Sequence, residues 1–151
     1  LESLNLDAFV GYEFEFPSSL KKLTLWSNLQ PWSSISRIGK LPNLEVLKLY
    51  NQTFVGEKWE VEEGEFPDLR FLELSNLDIR RWTASSDNFS LLEKLVLHRC
   101  VKLEEVPSCL GESPFLEMIE VSSCGESTVN AIKQIQQEQM DMGNEALKIV
   151  Y

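Results

Sequence analysis

Three ligand-type side chains, His98, Cys100 and Cys109, fall close together in the stretch LEKLVLHRCVKLEEVPSCLG. A His beside two Cys is the raw material of a zinc site, an activated thiolate or a redox pair. The spacing argues against the metal, because the chain has no C-x-x-C and no second His to complete a tetrahedral set. Catalysis by His98 would need a nucleophile and an orienting group converging on it. Ser75 and Ser122 are the outward neighbours expected beside it, and a Ser next to a His on a strand face reads first as a hydrogen-bonded surface pair. There is no glycine-rich phosphate loop. The chain is therefore read as non-catalytic, with no cofactor-binding or metal-ligating residue expected.

The elements that must position these residues show up as a repeat. The pattern L-x-x-L-x-L recurs as LESLNL, LKKLTL, LEVLKL, LRFLEL and LEKLVL, and in weaker form as LEMIEV. Its anchors are Leu1, Leu20, Leu44, Leu69, Leu92 and Leu116, so the steps are 19, 24, 25, 23 and 24 residues. A period of about 20 to 29 residues is that of leucine-rich repeats. An apolar residue, usually with a Pro, leads into each later anchor, as in FPSSL, LPNL, FPDL, FSLL and SPFL. Proline there sets an extended turn feeding the strand.

The period of two in a strand fixes the faces. Positions four and six, such as Leu95 and Leu97, point inward, and positions three, five and seven point out. One unit cannot bury its own leucines, so the units must stack. The expected fold is an α/β solenoid, a leucine-rich-repeat horseshoe fragment with parallel strands on the concave face. The convex halves, such as NQTFVGEKWEVEEGEF, lack helical periodicity and are expected to be mostly loop or 3₁₀ turn. The five Glu of residues 57–65 read as a solvated convex loop or a docking surface for a basic partner.

Counting each anchor as one, Cys100 and Cys124 fall at position nine, as does Asn28. A small polar side chain there faces inward and bonds the backbone of the turn leaving the strand. Cys100 and Cys124 should lie about 4.8 Å apart along the stack, so a disulfide is geometrically open, although the odd, sparse count of three Cys suits a reducing compartment. His98, at position seven, points the opposite way, and Cys109 lies on the convex half.

Position seven reads Asp7, Trp26, Tyr50, Ser75, His98 and Ser122, and position three reads Ser3, Lys22, Val46, Phe71, Lys94 and Met118. Trp26, Tyr50, Val46 and Phe71 should form an apolar patch on the concave face, flanked by Lys22, Lys48, Arg70 and Lys94, with His98 beside it. Aromatic clusters with rim charge are what protein interfaces use. The competing expectation is that a one-residue error in register, or a covering loop, hides these rings.

After Cys124 the pattern changes. GESTVNAIKQIQQEQMDMG places Val129, Ile132, Ile135 and Met140 among polar residues, as in an amphipathic helix with a Ser or Thr cap and a stop at Gly143. The expected division is therefore repeats over 1–124 and a capping helix with tail over 125–151, with ALKIVY as a last strand or tail. The chain opens on a repeat anchor, which suggests the C-terminal piece of a longer array.

A net charge of −10 disfavours nucleic acid and anionic membrane as partners. No apolar run approaches the roughly 20 residues that span a bilayer, and LESLNLDAFV lacks the basic and apolar regions expected of a signal peptide. Asn51-Gln52-Thr53 and Asn88-Phe89-Ser90 are glycosylation sequons, which matter only in a secreted chain.

Three features are more particular than the repeat: Phe54-x-Gly56-x-x-Trp59 leading to Phe66-Pro67-x-Leu69, the L-x-x-C-x-x-L of Leu97 to Leu103, and the Q-x-x-M-G-N tail of Gln139 to Asn144. In these the chain resembles, over nearly its whole length, the C-terminal repeats of plant intracellular nucleotide-binding leucine-rich-repeat immune receptors of the coiled-coil type, the nightshade late-blight-resistance branch included. The resemblance implies a cytoplasmic recognition and regulatory module. Its partners would be proteins: a pathogen effector, or the receptor's own nucleotide-binding domain, which would hold the ATP or ADP that this chain does not. Two alternatives stay open. One is an extracellular repeat ectodomain, although VPSCLG lacks the G-x-I-P element usual there, and the other is a ubiquitin-ligase substrate adaptor.

Overall fold

The structure, a computed structural model, describes residues 2–6 and 15–151, so Leu1 and Asp7 lie outside the described residues. The strands are β1 (Ser3–Leu6), β2 (Lys22–Trp26), β3 (Gln30–Pro31), β4 (Val46–Tyr50), β5 (Phe54–Val55), β6 (Lys58–Glu60), β7 (Phe71–Ser75), β8 (Arg81–Thr83), β9 (Lys94–His98), β10 (Met118–Ser122) and β11 (Lys148–Val150). The larger sheet runs β1-β2-β4-β7-β9-β10-β11, and every neighbouring pair is parallel. This is an α/β fold built on a parallel sheet with few helices.

Equivalent repeat positions are register partners across this sheet. Trp26 pairs with Tyr50, Tyr50 with Ser75, Ser75 with His98, and His98 with Ser122. Leu23, Leu47, Leu72, Leu95 and Ile119 form one buried column, and Leu25, Leu49, Leu74, Leu97 and Val121 the next. The anchors Leu20, Leu44, Leu69, Leu92 and Leu116 close the core beside them. Each fully buried Leu contributes about 1.5 to 3 kcal/mol of transfer free energy, so the repeated leucines dominate the packing.

The strands end alike, in a way the leucine pattern does not encode. Ser27, Asn51, Asn76, Arg99 and Ser123 directly follow β2, β4, β7, β9 and β10, and all have φ between 51° and 55°. In four of these turns the left-handed residue donates its N–H to the last carbonyl of the next strand: Ser27 to Tyr50, Asn51 to Ser75, Asn76 to His98 and Arg99 to Ser122, at 2.8–3.1 Å. Those bonds offset the steric cost of a Cβ in that region.

The crossover side is more regular than the expected loops and 3₁₀ turns. It has 3₁₀ turns at Trp32–Ile35 and Ser108–Glu112, a one-turn helix α1 (Ser36–Gly39), and two parallel ribbons, β3 with β5 and β6 with β8. The first 3₁₀ turn and the β6–β8 ribbon carry a stack of indoles. Trp59 lies 4.9 Å from Trp32 and 5.2 Å from Trp82, the latter pair only 3° from parallel. Phe66 stacks on Phe89 beside them, centroids 5.3 Å apart. These spacings match the roughly 4.8 Å between strands, so one indole per crossover, with the phenylalanines beside it, extends the core outward.

Helix α2 (Glu126–Asp141) is the crossover from β10 to β11. The expected Ser or Thr cap is corrected: the N-cap is Gly125, without a side-chain cap bond. Ser127 and Thr128 lie inside the first turn, where the Thr128 hydroxyl donates to the Leu103 carbonyl at 2.6 Å. The buried stripe is Thr128, Ile132, Ile135 and Gln139, and Met140 is exposed. Gln139 is buried because its amide donates to the Leu110 and Ser113 carbonyls, both at 2.8 Å, which tie the helix to the preceding turn. The helix ends at Asp141 with Met142 as its C-cap, and Gly143 follows with a φ of 94° that suits a residue without a Cβ.

Candidate interaction surface

The outward face of the larger sheet carries the residues singled out by the repeat. Trp26 and Tyr50 stack with ring centroids 4.3 Å apart and planes 32° from parallel. The Trp26 indole N–H donates to the Asn5 side chain at 3.1 Å, fixing that ring from β1. Burial, and a hydrogen bond to Glu73, push the Tyr50 hydroxyl well above the ordinary tyrosine range. It is thus a neutral donor at any physiological pH. Val46 and Phe71 are register partners two outward rows below, with Lys48 and Glu73 in the row between.

Lys48 and Lys94 converge on Phe71, their ammonium nitrogens 5.4 and 5.6 Å from the ring centroid. Arg70 is placed differently, just before β7, where it pairs with Glu93 at 3.3 Å and Asp68 at 3.9 Å. Its charge is thus matched beside the face. His98 is half-buried at the far end of the row and bonds the Ser122 hydroxyl through Nδ1. Val96, overlooked in the sequence because only positions three and seven were read there as columns, belongs to the same face and is 6% exposed. Its place beside Glu73 and Glu120 in the register was the available signal.

The opening trio separates, with His98 on the outward face and Cys100 turned into the core by the left-handed Arg99 that follows β9. Cys100 is buried, and its thiol donates to the Leu74 carbonyl of the preceding repeat at 3.4 Å. The Cys124 thiol, one turn further, donates to the Ser122 carbonyl at 3.4 Å. All three cysteines are free. A hydrogen bond between Cys100 and Cys124, together with burial, pushes the Cys100 thiol up. Receiving that bond holds Cys124 down at about 7. Cys109 lies in the Ser108–Glu112 turn, where burial pushes its thiol up. It borders a cavity of about 530 Å³ shared with Ser85, Glu112 and Glu138. Among the described residues no group of three His, Cys, Asp or Glu is placed to hold a metal.

Asn88 is 2% exposed, and its amide donates to the Glu62 and Glu65 carbonyls while its oxygen accepts from the Ser85 N–H. In the folded chain this sequon is closed to glycosylation. Asn51 is exposed. Of the glutamate run, Glu60, Glu62 and Glu63 are exposed, whereas Glu65 is buried and accepts the Glu62 N–H at 2.8 Å. No helix among the described residues is long and apolar enough to cross a membrane.

These repeats have counterparts. Over about three quarters of its length the chain is homologous to a segment of putative late blight resistance proteins of Solanum demissum. It is 45% identical over 112 residues to the putative late blight resistance protein homolog R1B-16, covering 73% of this chain and 9% of that protein. To homolog R1B-13 it is 43% identical over 115 residues, covering 75% and 10%, and to homolog R1B-23 42% identical over 112, covering 73% and 9%. The chain thus spans about a tenth or less of the length of the curated relatives it matches. No family model matches.

Proposed function

We propose that this chain is a leucine-rich-repeat section of a plant disease-resistance receptor, acting as a non-catalytic protein-interaction module. The sheet's outward face is then the concave face of a solenoid over residues 1–124. Helix α2 and β11, within 125–151, act as its cap. The observation that carries this reading is the apolar lining of one sheet face: the stacked Trp26 and Tyr50 at one edge and the register pair Val46 and Phe71 at the other lie on the outward side of the same five-residue strands, outside the leucine core. Large rings at the centre of an exposed sheet supply contact area at small entropic cost, which is how interface hot spots are built.

The relatives' names support the disease-resistance context. In the intact receptor the surface would meet either a pathogen effector or the receptor's own nucleotide-binding domain in the cytoplasm, and a bound partner would shift the receptor between off and on states. ATP or ADP belongs to that other domain. The three free cysteines and the buried Asn88 sequon favour this reading over the extracellular ectodomain. The test is a pull-down from plant extract with the 151-residue chain and with a folded Trp26→Ala/Tyr50→Ala/Phe71→Ala variant. Loss of partner recovery in the variant is the expected result, and equal recovery refutes the assignment.

A further inference from the structure

The aromatic patch has a charged companion that specifies what its partner must carry. Lys48 and Lys94 approach the same Phe71 ring. Two ammonium groups held around one ring repel each other, and the ring's π face offsets only part of that cost. Among the described residues no ion pair involves either lysine; the pairs formed lie elsewhere, at Lys21, Arg70, Arg80 and Lys102. Glu73 is the register partner of Lys48, yet no ion pair joins the two.

The wider charge distribution points the same way. The strands of the larger sheet hold four of the chain's 14 basic residues, Lys22, Lys48, Lys94 and Lys148, but only two of its 24 acidic ones, Glu73 and Glu120. On a chain of net charge −10 this face is locally cationic. A generic electrostatic partner of such a chain would be basic and would meet the crossover side. The outward face instead complements an acidic one, and complementary local charge decides which partner and register are accepted.

We infer that Lys48, Phe71 and Lys94 form a carboxylate-recognition subsite, and that the partner of this face is a protein presenting an acidic peptide segment. An Asp or Glu side chain of that segment sits between the two ammonium groups, and a neighbouring apolar side chain packs on Trp26 and Tyr50. This inference rests on the reading of the face as a protein-binding surface.

The probe is a random linear-peptide display library selected on the immobilised 151-residue chain. Selected peptides are remeasured as synthetic peptides against three variants shown to be folded by circular dichroism: Lys48→Gln/Lys94→Gln, Lys48→Arg/Lys94→Arg and Trp26→Ala/Tyr50→Ala. The expected peptides pair Asp or Glu with an apolar residue. Their binding weakens about three- to tenfold in the Gln variant, as for two rim ion pairs, weakens with added salt, and is retained in the Arg variant. Peptides lost in Trp26→Ala/Tyr50→Ala but neither enriched in acidic residues nor weakened by the Gln variant overturn the subsite and leave the binding surface standing. Peptides indifferent to all three variants, or no selectable peptide, overturn both.

Discussion

Trp26 stacks on Tyr50 across two adjacent strands, centroids 4.3 Å apart, and the two are also register partners. The stack therefore follows from repeat register: the same position in two units must meet. Neither ring belongs to the leucine core. Trp26→Ala should cost the stacking energy, about 0.5 to 1.5 kcal/mol, on top of a modest area of burial, in a urea titration. A loss of several kcal/mol would place Trp26 in the core and remove the reason to regard it as a binding residue.

The indole ladder on the crossover side should behave oppositely. Trp59 and Trp82 are 1% and 0% exposed and stack on each other. Trp59→Ala should destabilise the chain by about 3 to 5 kcal/mol while the outward face keeps its partners once folding is restored at low temperature. The check is the urea midpoint of the variant against the parent.

A second structural prediction concerns Gly39. A Cβ built there lies 2.8 to 2.9 Å from the buried Glu65 side chain, its own Cβ included. Glu65 is 1% exposed and held by the Glu62 N–H, so it has no room to withdraw. Gly39→Ala should cost about 1 to 3 kcal/mol, read by thermal denaturation, and Gly39→Ala combined with Glu65→Ala should recover part of the clash.

The thiol pair predicts a pH dependence. Cys124 is held at about 7 by the bond from Cys100, below the roughly 8.5 of an unfolded cysteine. Its contribution to stability is full above that unfolded value and is lost as pH falls through about 7. Cys100, raised, contributes below the unfolded value and loses that as pH climbs. Iodoacetamide labelling of Cys124 followed by mass spectrometry should reach half its maximal rate near pH 7. In Cys100→Ala that midpoint should rise toward about 8.5; an unmoved midpoint would show that the two thiols do not share a hydrogen bond.

The leucines made the parallel register readable because a strand's period of two leaves one choice of face, and a one-residue slip would bury Trp26 and expose Leu25. His98 and Cys100, two residues apart, would share a face in a continued strand, and it is the left-handed Arg99 after β9 that parts them. What stayed hidden depends on contacts between units at irregular offsets. Trp32, Trp59 and Trp82 follow their anchors by different distances, so no fixed period aligns them, and only the folded crossovers stack them. The polar stripe of α2 was hidden for a related reason. Gln139 is buried by carbonyls that the Ser108–Glu112 turn presents, and an apolar count chose Met140 instead. The placement of Arg70 depended on Glu93 and Asp68, partners that the repeat pattern does not weigh.

The most direct test asks which face a protein partner occupies. A photo-reactive benzoylphenylalanine is placed at Ser75, between Tyr50 and His98 in the outward row, and separately at Arg81, in the β6–β8 ribbon on the crossover side. After irradiation in plant extract, partner crosslinks should form from Ser75, vanish in the Trp26→Ala/Tyr50→Ala background, and be absent from Arg81. Crosslinks from Arg81 alone, with Ser75 silent, would contradict the assignment of the outward face as the binding surface.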